Sequence, residues 1–166
     1  MRAISMLALT LGSVAMLSGC GKKEEAVMPA APSATPAAAP ASAAPPSADQ
    51  QKMLAALPAP FNTADPVAGE AKFALCRSCH TITKGGPNLT GPNLYGVFGT
   101  KAGAVAGFDF SDAMKGSGMT WDAATIDKWI ADPRAVLPET KMTFPGVKDA
   151  KDRTDIVAYV ALQRDK

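Results

Sequence analysis

Apolar residues fall into runs of different character along the 166-residue chain, and each run predicts a different state. A mainly apolar, uncharged run from Ile4 to Leu17 comes after a single Arg2 and closes on small residues. That layout is an export signal, too short and too abruptly ended for a convincing transmembrane helix. From Gly21 to about Pro60 the pattern dissolves into Ala, Pro and Ser, as in "MPAAPSATPAAAPASAAPPSADQ". Prolines remove N–H donors and push each preceding residue towards extended geometry, so this segment predicts a tether. About forty residues in polyproline II form reach about 120 Å. Within it, only the stretch from Gln51 to Leu57 has transient helical character.

Beyond Phe61 the spacing becomes helical. Asp65 followed by Pro66 is a helix start, with an acceptor at the cap and Pro at the first helical position, and Gly69 and Phe73 fall on one face of that helix. From Thr81 to Gly118, Gly and Pro recur too often for long elements. Loops are expected there, with brief helical turns around Asn93 to Val97 and Ser111 to Lys115. A helix from Trp121 to Asp132, stopped by Pro133, carries the stripe Ile126, Trp129 and Ile130. The last helix starts near Asp149, with Ile156, Tyr159, Val160 and Gln163 on one side. No alternating strand pattern stands out, so the expected class is all-α with three main helices. The expected organisation is a signal over 1–19, a tether over 20–60 and a folded domain over 61–166.

Charge changes the picture by exclusion. The chain has 17 Lys and Arg against 15 Asp and Glu, a formal net charge of +2, and such a balance argues against nucleic acid as the main partner. Three main helices and many loops in a domain of this length bury only a thin core. A large apolar group at the centre, of the size of a porphyrin, would complete it.

Three cysteines divide by position. Leu17-Ser18-Gly19-Cys20 resembles the lipobox of bacterial lipoproteins, in which the thiol of Cys20 takes the lipid and anchors the chain to a membrane. Cys76 and Cys79 remain, in "ALCRSCH" with His80, the chain's one histidine. The spacing is that of covalent c-type haem attachment, with two thiols spanning the vinyl groups of one porphyrin and the adjacent histidine beneath the iron. Zinc needs four ligands in a closed site, and a redox dithiol expects a βαβ context with the pair at a helix start. These, and a structural disulfide with an idle histidine, are the alternatives. A sixth ligand would have to be other than histidine. Met142, in the Pro-flanked loop "LPETKMTFPG", is a better candidate than Met114 or Met119 in glycine-rich ground.

"CRSCH", "GGPNLTGPNLYGVFGTKAG", "GMTW", "WIADP", "TKMTFPG" and "DIVAYV" together, in this order, resemble class I cytochrome c, particularly the mitochondrial-type and bacterial cytochrome c2 group. The resemblance covers most of the chain from Asp65 onward. It implies that fold, one haem c held by Cys76 and Cys79, and axial ligation by His80 and Met142. It further implies that the Pro92 carbonyl accepts the His80 ring N–H, that the Trp121 indole reaches a haem propionate and that Thr140 lies near the haem on the methionine side. Gly69 and Phe73 match positions that pack against the last helix beside Tyr159. Departures from the pattern are Phe110 and Thr100, where relatives often place a tyrosine and an arginine for a propionate, and Trp129 and Met114, where they have a tyrosine and an asparagine.

With both axial positions filled, the resemblance implies a one-electron carrier with no small-molecule substrate, not an enzyme. It would work on the periplasmic side of a bacterial membrane, lipid-anchored, between redox proteins such as a bc1-type donor and a terminal oxidase. Arg77, Lys84, Arg134, Lys141 and Lys148 are the candidate docking cations. The competing readings are a haem-based peroxidase or ligand-binding sensor with a labile sixth ligand, and a tethered subunit of a larger respiratory complex.

Overall fold

Carboxylates and hydroxyls start almost every helix, and where they do so sets the architecture. The computed structural model describes residues 45–165; the signal segment, Cys20 and the first part of the tether lie outside the described residues. Seven helices run in order: α1 (Ala48–Ala55), α2 (Pro66–Lys72), α3 (Ala74–Arg77), α4 (Asp112–Gly116), α5 (Ala123–Ala131), α6 (Pro133–Val136) and α7 (Ala150–Leu162), with a 3-10 turn at Phe61–Thr63. Asp65, Asp122, Asp132 and Asp149 cap α2, α5, α6 and α7 by accepting backbone N–H groups, and Ser47 and Ser111 do the same for α1 and α4. Among the described residues there is no strand, only an isolated antiparallel bridge between Lys101 and Thr120.

The central relationship is the packing of α2 on α7. Gly69 makes the approach possible: a Cβ there would overlap the Asp155 carbonyl and lie 3.0 Å from the Cβ of Tyr159. One turn on, Phe73 meets Tyr159 ring to ring at 5.3 Å and is almost fully buried. The buried Asp155 carboxylate accepts the Asp65 backbone N–H at 2.9 Å and the Lys151 ammonium at 2.6 Å. It thereby ties the start of α2 to α7. With α1, α2 and α5 all packed against it, α7 is buried from Asp155 through Leu162, wider than the expected one-sided stripe.

Three elements differ from the sequence expectation. Ordered packing begins upstream of Phe61, because Ser47 and Gln50 form a reciprocal capping box and Leu54 and Leu57 pack into the core. Residues 93–97 form no helical turn. The Asn93 side chain takes the backbone instead, donating to the Thr83 and Gly86 carbonyls and accepting from Tyr95 N. Past Asp132 the chain turns helical again as α6, since Asp132 ends α5 and caps its successor with Pro133 in the first turn.

Candidate functional site

The core does not close on itself. α3, the 90–94 segment, α4, α5, the 140–145 loop and α7 surround a cavity of about 320 Å³. That is far beyond the voids of a packed core, few of which exceed a single water. Its walls are mainly apolar, with Phe73, Phe110, Met114, Trp121, Trp129 and Ile156 among them. Phe108 and Phe110 stand edge to face at 4.7 Å, and Trp121 and Trp129 do so at 5.4 Å, making two aromatic corners.

α2 and α3 deliver the Cys-Cys-His segment to this cavity. Cys76, Cys79 and His80 all line it, and the two thiols are free. Cys76 is partly buried, and loss of hydration pushes its thiol up to about 11, with Cys79 adding to the shift, so its sulfur is protonated at neutral pH. Cys79 is exposed at the mouth. Among the described residues no three His, Cys, Asp or Glu side chains converge, so the zinc alternative has no ligand set.

His80 is held tightly. Its Nδ1 is 2.7 Å from the Pro92 carbonyl oxygen. A carbonyl only accepts, so Nδ1 carries the hydrogen and Nε2 keeps a free lone pair. Burial pulls the imidazole pKa below its ordinary value, and the bond to Pro92 offsets this only in part; the ring is neutral. Gly91 packs so closely against the ring that a Cβ there would overlap it. A neutral nitrogen donor, fixed in orientation on the wall of an apolar cavity, suits a metal inside it.

Met142 comes to the same cavity from the loop before α7, and its backbone N–H donates to Thr140 Oγ1 at 3.1 Å. Thr140 is buried and also lines the space, as do Pro92 and Trp121. All seven candidate haem-site residues therefore meet at one cavity. Thr100 does not: its hydroxyl donates to Val97 O at 2.7 Å within its own loop. Sequence reasoning left Met114 as a weak ligand candidate, yet it is buried and lines the cavity too. It also passed over Gly91, whose signal was a glycine directly before the proline that binds His80.

Comparison with known proteins decides the family. Cytochrome c2 of Rhodomicrobium vannielii is 47% identical over 103 residues, covering 62% of this chain and 82% of the relative. The chain belongs to the class I cytochrome c family. Cytochrome c2 of Blastochloris viridis is 44% identical over 108 residues, 65% of this chain and 85% of the relative. Among solved structures, cytochrome cH from Methylobacterium extorquens aligns with a TM-score of 0.56 at 49% identity, covering 58% of this chain and 97% of that one. No family model matches the chain. The all-helical architecture is thus the class I cytochrome c fold, the cofactor is one covalently bound c-type haem, and the protein transfers electrons rather than catalysing a substrate reaction. The cavity's size, apolar walls, paired thiols and neutral imidazole fit that group.

Proposed function

We propose that Cys76 and Cys79 hold the haem, that His80 and Met142 are its axial ligands, and that the loaded domain is a one-electron carrier tethered by lipid on Cys20 to a membrane facing the periplasm. The observation that carries the ligand assignment is the neutral His80 ring, locked by Pro92 O at 2.7 Å on the wall of the cavity that also receives Met142. When bound, the haem supplies a reversible ferric/ferrous couple, which methionine ligation biases towards the ferrous side. Pro92 draws on the Nδ1 hydrogen and so raises the donor strength of Nε2. Thr140 anchors the backbone of Met142, limiting how far the thioether can swing. The Trp121 indole is assigned to a propionate. The apolar walls keep water from the iron's surroundings.

The anchor and partners rest on the sequence: a signal over 1–19, the lipobox at Cys20 and an Ala/Pro-rich tether up to the start of α1. No helix among the described residues is long and apolar enough to cross a membrane. Lipid would hold the carrier near its partners and raise its local concentration, which suits exchange between a bc1-type donor and a terminal oxidase. Acid-acetone extraction tests the attachment: haem stays on the wild-type polypeptide and is extracted from the Cys76→Ala/Cys79→Ala variant. A weak far-red absorption in the ferric protein marks sulfur ligation. Its absence, with ready binding of carbon monoxide by the ferrous form, would favour the sensor or peroxidase reading instead.

A further inference from the structure

Two large hydrophobic side chains stay exposed among the described residues, Leu75 at 56% and Leu89 at 47%, and the backbone brings both near the cavity. Leu75 sits in α3 and lines the cavity. Leu89 leads into the Thr90 and Gly91 wall, where Gly91 N donates to Cys79 O at 2.8 Å. Neither contributes to the core, and solvent exposure of two leucines beside a redox centre calls for a covering surface.

Three of the five candidate docking cations are paired with carboxylates of this chain. Arg77 pairs with Glu70 at 3.3 Å, Lys84 with Asp165 at 2.8 Å and Lys141 with Asp109 at 2.5 Å. The Lys148 ammonium donates to the Ala131 carbonyl. Of the five candidate docking cations, only Arg134 has no ion pair or hydrogen bond of its side chain among the described residues. Such exposed pairs add little stability, but from beyond a Debye length each cancels to a small dipole, leaving little net field to steer a charged partner.

We propose that the face around Cys79, with Leu75 and Leu89 at its centre, docks a redox partner whose own contact patch is apolar and close to neutral. A strongly acidic patch would find three of the five cations already committed to this chain's own carboxylates, whereas an apolar patch would bury both leucines and disturb no pair. Association then proceeds without electrostatic acceleration, at the basal rate of orientation-limited docking. This rests on the carrier reading above, with the haem behind this mouth.

Stopped-flow oxidation of the reduced holoprotein by native membrane vesicles stripped of this chain tests it. Between about 10 and about 300 mM salt the second-order rate constant should change by less than about threefold. Leu75→Asn/Leu89→Asn should lower it about tenfold at every salt concentration, and Leu89→Asn alone, outside the cavity wall, should lower it severalfold with an unchanged absorption spectrum and an unchanged rate with ferricyanide. A steep fall with salt, or a double variant that reacts with the vesicles like wild type, overturns the apolar docking face while leaving the carrier reading intact. Wild-type holoprotein that passes no electrons to the vesicles, yet reacts with ferricyanide, overturns both.

Discussion

A Cβ built on Gly91 would stand 2.6 Å from Nδ1 and 2.7 Å from Nε2 of His80, so the backbone at 91 and the imidazole occupy one tight layer. Gly91→Ala must push the ring away from Pro92 or move the 90–92 backbone. Overpacking of this kind costs about 1–3 kcal/mol, and guanidinium unfolding of the holoprotein should show it. The ferric spectrum should also shift, since the same displacement rotates the proposed ligand.

Gly69→Ala strikes the helix crossing instead. Its Cβ would meet the Asp155 carbonyl, which belongs to the backbone of α7 and cannot rotate aside. Loss of roughly 3 kcal/mol is expected, with the visible spectrum of the surviving folded fraction unchanged. Equal loss of stability and of the sulfur band would mean that α2 and α7 are coupled directly to Met142.

Two thioethers share the cavity wall, and only one is on a loop tied by Thr140. Met142→Leu should abolish the far-red sulfur band, and Met142→His should keep a six-coordinate iron at a lower potential. Met114→Leu should leave the band in place, because Met114 sits in α4 with its N–H held by Ser111 Oγ and packs as core. A band lost in the Met114 variant and kept in the Met142 variants would reassign the ligand.

Acid should loosen the helix starts. Asp122 and Asp149 are held below the ordinary 3.8, first by the Thr125 and Asp152 backbone N–H groups they accept. Depressed carboxylates contribute stability that is present above that ordinary value and lost as pH falls through the lower folded-state value. Chemical denaturation between about pH 5 and about pH 2 should therefore show wild type losing more stability than Asp122→Asn/Asp149→Asn, since Asn caps without titrating. Parallel curves would remove the caps from the acid response.

Legibility tracked range along the chain. Asp65-Pro66 and Asp149 announce helices because each cap acts on residues two or three positions away. The Cys76, Cys79 and His80 cluster is equally local. α1 was obscured because its capping box, Ser47 with Gln50, sits at the end of an Ala/Pro-rich stretch whose composition argues for extended chain. Asn93 misled for a related reason: its amide bonds to residues 7 and 10 positions back, drawing the backbone into a turn. Ion pairing of Lys84 and Lys141 was beyond sequence reading altogether, since Lys84 finds Asp165 across 81 positions and Lys141 finds Asp109 across 32.

Removing the thiol at position 20 tests the anchor. Cys20→Ser should release the carrier from membranes or leave its precursor uncleaved, with haem still attached. Haem-stained fractions of cells expressing each form provide the measurement. Equal membrane association in detergent-free buffer would mean another route holds the chain.

The docking of α1 onto α7 also shortens the leash. In the proposed lipid-anchored form, a tether of the extended kind the sequence predicts would end at about Pro46 rather than Pro60, and its expected contour would fall from about 120 Å to about 80 Å. The volume the domain can sweep scales as the cube of that radius and drops to roughly a third. A partner whose docking face stands far above the bilayer lies at the edge of that hemisphere, while one close to the lipid surface meets the same domain several times more often.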